Sequence, residues 1–161
     1  RYKEKVFAYG DEAIRFARET GRQLIILAGR PYHVDEEINH GIDKLLEMLN
    51  CVVISEDAIR PSGGTKPKVL NQWTYHARLY EAARYAVEHD DTDLVQLVSF
   101  GCGLDAVTTD QVKDILQGGN KLYTQIKIDE ISNLGAVKIR LRSLIAAEEI
   151  KRNTQYGTAK G

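Results

Sequence analysis

Short apolar runs alternate along this chain with segments in which apolar residues recur at helical spacing. The runs predict four strands, at residues 23–29, 51–55, 93–100 and 121–129. The segments between them predict helices, and residues 3–19 predict a further helix ahead of the first strand. Residues 56–73 contain prolines and glycines through their middle and predict the longest loop of the chain.

A regular alternation of strands and helices is typical of a parallel sheet covered by helices. We therefore predict an α/β fold of the three-layer Rossmann-like or flavodoxin-like type. Its four strands are mostly parallel, in the order 2-1-3-4, with helices on both faces. We expect residues 1–153 to form this single domain of a larger multidomain protein, and residues 154–161 to form a flexible tail.

The carboxyl ends of parallel strands lie at one edge of a sheet, where open sheets of this kind bind ligands. The loop that follows the third predicted strand reads SFGCGLD, with Cys102 between Gly101 and Gly103. Cys51, the other cysteine of the chain, begins the second predicted strand and so belongs to the opposite edge. We predict that Cys51 is a buried structural residue.

Two interpretations of Cys102 remain open on the residues alone. Gly101 and Gly103 can make a tight turn in which the thiol fills space. Alternatively, the glycines let the backbone approach a ligand, and the amides of the next helix favour the thiolate, which is both a nucleophile and a metal ligand. That helix is predicted to begin at Thr108, with Gln111 completing a capping box.

Other polar residues after the predicted strands also have a binding and a structural interpretation. Arg30 and His33 could contact an anionic substrate, or could satisfy loop carbonyls. Glu56 and Asp57 could serve as acid and base, but adjacent carboxylates in a polar loop are usually solvated.

Aromatic and charged residues near the predicted helix starts have the same double interpretation. Trp73 and His76 could cap a pocket, although such residues more often pack a loop onto a helix. Asp105 and Asp110 are best explained as capping and dipole partners. The last helix begins with three basic residues that could form surface ion pairs or recognise an anion such as a phosphate group: Lys138, Arg140 and Arg142.

Composition narrows the classes of function. The chain has 161 residues, 43% of them hydrophobic, and no apolar run approaches the roughly 20 residues that span a bilayer. A net charge of −1 gives no general attraction to nucleic acid. Two cysteines are too few for a disulfide framework, so a cytoplasmic location is expected.

Three blocks of the sequence carry a resemblance to a known family: RPYHVDEEINHGI, LVQLVSFGCGLDAVTTDQV and IKIDEISNLGAVKIRLRSL. Over residues 24–147 the chain resembles the C-terminal, dehydratase-like domain of large 2-hydroxyacyl-CoA (2-hydroxyglutaryl-CoA) dehydratase activators, or acyl-CoA dehydratase activase-related proteins. The resemblance implies an iron-sulfur protein of anaerobic bacterial metabolism.

In the related dehydratase subunits, Rossmann-like domains hold a 4Fe-4S cluster through cysteines of different domains, and a companion ATPase supplies one electron for the dehydration. The resemblance therefore implies that Cys102 is a cluster ligand of this domain. It also implies a surrounding cofactor site that comprises Arg30, His33, Gly101, Gly103 and Arg140.

A cluster generally needs about four ligands, so one eligible cysteine implies that the others come from outside this chain. We expect the isolated chain to be inactive and its partners to be the rest of the parent polypeptide and a dehydratase or electron-transfer protein. A non-catalytic scaffold domain is the alternative. A third hypothesis is an enzyme with Cys102 as nucleophile and His33 or His76 as base.

Overall fold

The computed structural model describes residues 2–29, 41–62, 75–99, 103–128 and 134–158. The described helices are α1 (Tyr2–Thr20), α2 (Ile42–Met48), α3 (Tyr75–Glu88), α4 (Gly103–Gly118) and α5 (Leu134–Thr158). The strands are β1 (Leu24–Ala28), β2 (Val52–Ser55), β3 (Thr92–Val98) and β4 (Thr124–Lys127). A short 3-10 helix, Glu56–Ala58, follows β2 directly.

The strands form one parallel sheet in the order β2-β1-β3-β4. In the register of the central strand β1, Leu24 aligns with Val52 of β2 on one side and with Thr92 of β3 on the other. This topology confirms the predicted α/β class and the predicted strand order.

Helices cover both faces of the sheet, and every residue of β1 is consequently buried. Successive side chains of a strand point to opposite faces. Leu24 and Ile26 pack with α1, α3 and α4 on one face, while Ile25 and Leu27 pack with α2 and α5 on the other. The domain therefore has three layers, with one hydrophobic cluster on each side of the sheet.

Helix α4 begins earlier than the sequence predicts. It starts at Gly103, so Thr108 lies inside the helix, where it is 1% exposed. Thr108 precedes Val112 and Leu116 at four-residue spacing and shares their buried stripe. The predicted capping box at Thr108 is therefore wrong, and Asp110 lies too far along α4 to serve its first turn.

Helix α5 extends to Thr158, so residues 154–158, which the sequence analysis assigns to a tail, are helical. The Nζ of Lys151 lies 3.1 Å from the carboxylate of Glu148 and donates to the backbone oxygen of Asn120 at 2.8 Å. These contacts stabilise the part of the helix that follows its last buried apolar residues. No helix in the described ranges is both long and apolar enough to cross a membrane.

Helix α1 packs closely against the 3-10 helix through Gly10. A methyl group added at Gly10 would lie 2.3 Å from the backbone oxygen of Ala58, which is closer than van der Waals contact permits. We therefore expect Gly10→Ala to lower the free energy of unfolding by about 2 kcal/mol, although alanine is the better helix former.

Chemical denaturation followed by circular dichroism tests this expectation. Gly157→Ala is the matched control, because this glycine also lies in a helix and a methyl group there meets no atom within 4 Å. We expect the control to be neutral or stabilising by less than about 1 kcal/mol. Equal stability of the two variants would contradict the close packing of α1.

Candidate functional site

The connections that leave β1 and β3 lie on opposite faces of the sheet. From β1 the chain passes through α2 to β2, and from β3 it passes through α4 to β4. β1 and β3 are hydrogen-bonded neighbours, with Ala28 aligned with Gln96. The strand order therefore reverses between their carboxyl ends, which is where open α/β sheets bind ligands.

Most of the residues predicted from the sequence to form the site follow these two strands. Arg30 and His33 follow β1 along the chain, and Gly101 and Cys102 follow β3, but all four lie outside the described residues. Gly103 is the first residue of α4. Cys102 is therefore the residue that immediately precedes a 16-residue helix, whose amino end carries partial positive charge.

Arg140 lies at the lateral edge of the sheet, beside β4. Its Nη1 is 3.4 Å from the backbone oxygen of Gln125, and the side chain is exposed. With Lys113 and Tyr123 it lines an open groove of about 800 Å³ between α4, β4 and α5. Because β3 separates β4 from β1, this groove is distinct from the junction of β1 and β3. The association of Arg140 with Cys102 stays a prediction.

Glu56 is a buried carboxyl group at the carboxyl edge of the sheet. The residue is 3% exposed, and the backbone amide of Gly29, at the end of β1, hydrogen-bonds to its carboxylate. Its Oε2 has no hydrogen-bond partner in the part of the chain that the structure describes. The polar loop pattern predicts a solvated Glu56, but the 3-10 helix that begins at this residue holds it against the packed interior.

The protonation of Glu56 follows from this burial. Desolvation raises its pKa to about 7, and the neighbouring Asp57 carboxylate adds to the rise, while the amides of Glu56 and Gly29 and the guanidinium of Arg78 oppose it. At neutral pH the carboxyl group is therefore present in both the protonated and the ionised form. Such a group can donate or accept a proton.

Asp57 has a different environment, although it is the next residue. Nε of Arg78 lies 2.7 Å from its Oδ1, and its side chain is 47% exposed. This ion pair and Ser55 line a cavity of about 260 Å³ that the first residues of α1 close on the other side. The two carboxylates that the sequence analysis considered together therefore differ, since Asp57 is held by a cation and Glu56 is buried.

The opposite, amino edge of the sheet holds Cys51. Its side chain is buried, as predicted, and its Sγ lies 3.8 Å from the backbone oxygen of Leu49. Burial raises the pKa of the Cys51 thiol to about 11, and the charge of Asp93 adds to the rise. Cys51 is therefore a thiol at neutral pH and a poor metal ligand.

A buried polar cluster, Gln23, Asp93 and Lys121, closes the same edge. Asp93 accepts a hydrogen bond from Nε2 of Gln23, and Nζ of Lys121 lies 3.7 Å from its Oδ1. Lys121 also donates to the backbone oxygens of His89 and Thr92, at 3.0 and 2.6 Å. Burial raises the pKa of Asp93 to about 6, against the effect of Lys121. The sequence analysis missed this cluster, because its members are far apart along the chain.

The described residues do not make a metal site by themselves. No three His, Cys, Asp or Glu side chains within the described ranges are grouped so that they could hold a metal ion. The ring of His76 lies in the first turn of α3 against Tyr75, with 5.7 Å between the ring centres, while Trp73 lies outside the described residues. A cluster at Cys102 would thus need donors beyond this set.

The parallel sheet with helices on both faces defines a Rossmann-like α/β domain. Residues 1–59 of the chain match a family model described as a CoA enzyme activase uncharacterised domain. Over these residues, which are fewer than half of the chain, the sequence is similar to a domain of CoA enzyme activases. It includes residues 30–42, the first of the three resembling blocks, and ends before the other two. No curated protein and no solved structure matches the chain.

The buried carboxyl of Glu56 makes stability depend on pH. Its pKa is raised to about 7 from an ordinary 4.5, so its contribution to stability is complete below pH 4.5 and is lost as the pH rises through 7. The neutral, isosteric Glu56→Gln variant lacks this loss. As the pH rises from 5 to 8, we expect its free energy of unfolding to increase by roughly 2 kcal/mol relative to that of the wild type.

Urea denaturation of both proteins at the two pH values measures this gain. Glu12→Gln, which removes an exposed carboxylate from α1, is the control and should follow the wild type. A constant difference between Glu56→Gln and the wild type across this pH range would show that Glu56 is ionised in the folded protein at pH 5.

The burial of Cys51 predicts a difference in reactivity between the two thiols. We expect iodoacetamide at pH 7 to leave Cys51 unmodified in the folded protein and to alkylate it after unfolding in guanidinium chloride, because the folded thiol is buried and protonated. Mass spectrometry of the tryptic peptides reports each site, and Cys102 provides the internal comparison. Rapid native alkylation of Cys51 would contradict its position in the core.

Proposed function

We propose that this chain is a domain of a 2-hydroxyacyl-CoA dehydratase activator-related iron-sulfur protein, in which Cys102 is one thiolate ligand of a 4Fe-4S cluster. The proposal rests on one observation, the place of Cys102 along the chain between two described elements. It lies in the connection between β3 and α4, one residue before the helix begins, and β3 is the direct neighbour of β1. The relation of residues 1–59 to CoA enzyme activases supports the proposal.

A thiolate is the chemically suitable ligand at this position. Iron-sulfur clusters are held by cysteine thiolates, and the amino end of a helix favours the ionised thiol. Cys51 is unsuitable as a cluster ligand, because it lies at the amino edge of the sheet and the pKa of its thiol is raised to about 11. When bound, a cluster of this type supplies single-electron transfer, linked to ATP hydrolysis or to dehydration of an acyl-CoA.

In this proposal the chain supplies one of the ligands of the cluster. The chain has two cysteines and Cys51 lies at the opposite edge, so the remaining ligands would come from other segments of a larger activator, whose C-terminal, dehydratase-like part this domain would form. Within this chain we assign the surroundings of the cluster to the residues that the resemblance implies: Arg30, His33, Gly101, Gly103 and Arg140. The glycines would admit the cluster close to the backbone, and the cations would face an anionic substrate.

Glu56 contributes a proton-transferring group to the same edge. Its carboxyl group hydrogen-bonds with the Gly29 amide at the end of β1, and its Oε2 has no described partner. It can therefore hold a proton at Oε2 near neutral pH and release it to a ligand at this edge. The domain would work in the cytoplasm of an anaerobic bacterium, with a dehydratase or an electron-transfer protein as its partner.

A second candidate function is a non-catalytic interaction domain of the same activator. The observation that favours it is the exposure of large aromatic side chains along α1, at Tyr2 and Tyr9. In this case the thiol of Cys102 would only fill space in the turn that precedes α4. Removal of the thiol would then leave any cluster of the activator intact.

Anaerobic reconstitution with iron and sulfide distinguishes the two functions. We expect the Cys102→Ser variant of the complete activator to lose at least half of its bound iron and to change its electron paramagnetic resonance spectrum, because a cluster ligand is removed. The isolated chain should retain no cluster after desalting, since it offers a single suitable thiol.

Cys51→Ser is the matched control for this experiment. It removes the buried thiol at the far edge, and we expect it to keep the iron content and the spectrum of the wild type. Full cluster content in Cys102→Ser would exclude the proposed ligand and favour the interaction domain.

A further inference from the structure

Helix α1 packs on the domain through small residues and leaves large ones exposed. Gly10 and Ala17 are its buried residues. Tyr2, Tyr9 and Phe16 are 81%, 72% and 46% exposed. The packing of the domain therefore does not account for the three aromatic side chains.

These three residues, which we call the aromatic stripe, follow one another at intervals of seven. Two turns of an α-helix take 7.2 residues, so positions seven apart drift by only about 20° and lie on one face. The stripe extends over about 21 Å of the helix at a rise of 1.5 Å per residue. Aromatic side chains bury about 150–250 Å² each, so the stripe exposes on the order of 400 Å². An exposed apolar area of this size is comparable with the largest apolar patch of a typical monomer, which is often functional.

Charged residues flank the stripe on one side. Lys5 and Glu12 precede Tyr9 and Phe16 by four residues each, so the two lie along the same border of the stripe. Both side chains are exposed, and neither forms an ion pair with another residue in the described ranges. The border therefore carries one positive and one negative charge that are available to a partner.

We propose that the aromatic stripe pairs with the aromatic stripe of a second copy of this chain, in an antiparallel arrangement with a two-fold axis at Tyr9. Tyr9 then faces the partner's Tyr9, and Tyr2 faces the partner's Phe16, because Tyr2 and Phe16 are equally far from the axis. The inference goes beyond the proposed function and does not depend on Cys102.

The charges along the border select this arrangement. In an antiparallel helix pair, residues on the same border face each other, and Lys5 lies within one residue of alignment with the partner's Glu12. The two-fold axis repeats this ion pair, so two attractive pairs form. A parallel pair would instead place this border against the opposite border of the partner helix, so neither ion pair would form. The sequence of α1 is thus complementary to itself in the antiparallel direction.

The size of the contact determines the strength of the dimer. A pair of 19-residue helices buries an area near the lower limit of about 1,000 Å² for specific interfaces. The guanidinium of Arg22 already covers one side of the Phe16 ring, 5.3 Å from its centre, and would lie at the rim. We therefore expect a dimer that dissociates at micromolar concentrations rather than a permanent one.

Sedimentation velocity from micromolar to submillimolar concentrations tests the inference on the complete chain. We expect the mass to rise from the 18.1 kDa monomer towards twice that value. Tyr9→Glu should weaken dimerisation by at least tenfold, because it places two carboxylates at the axis. Met48→Glu, an equally exposed apolar position on α2, is the control and should dimerise as the wild type does.

Charge reversal tests the orientation. Lys5→Glu and Glu12→Lys should each weaken self-association about fivefold to tenfold, since each replaces two ion pairs by two repulsions. An equimolar mixture of these two variants restores both opposite-charge pairs and should form a heterodimer of wild-type affinity. A wild type that remains monomeric at every concentration, or a mixture no tighter than the single variants, would overturn the inference. Helix content by circular dichroism confirms that each variant is folded.

Discussion

The pairing of β1 with β3 is the contact on which the rest of this structure depends. β1 is hydrogen-bonded on both sides and buried on both faces, so it can accept only apolar side chains and helices above and below it. The helices that follow β1 and β3 lie on opposite faces of the sheet, so the strand order reverses between these two strands. The location of the candidate site follows from this reversal and from no single side chain.

The two edges of the sheet differ in the partners of their buried polar groups. At the amino edge, Lys121 neutralises Asp93 and donates to backbone oxygens, so the buried charge there has partners inside the domain. At the carboxyl edge, Glu56 is equally buried but keeps an oxygen without a described partner. Buried polar groups are normally satisfied. Oε1 of Gln23 and Oδ1 of Asp93 also lack a hydrogen-bond partner within the described ranges, so the two edges differ in the cation that only the amino edge holds next to its buried carboxylate.

The sequence predicts the architecture well because periodicity is a local property. The apolar run of β1 and the burial of Cys51 follow from patterns of a few residues, and the strand order belongs to the fold class that the alternation of strands and helices predicts. Thr108 was misassigned because a polar residue in a buried stripe resembles a cap. Glu56 and Lys121 could not be identified as buried, since their burial depends on which distant elements pack over them. The positions of Arg30, His33 and Cys102 along the chain relate them to β1 and β3, and their roles stay predictions.

The central claim is that the cluster ligand of this domain lies where β3 leads into α4. The most direct measurement is an anomalous difference map, collected at the iron edge, from anaerobically grown crystals of the reconstituted activator. We expect an iron peak within bonding distance of Sγ of Cys102, at the carboxyl ends of β1 and β3. An iron peak beside Cys51 at the amino edge, or a fully loaded cluster with no iron near Cys102, would contradict the claim.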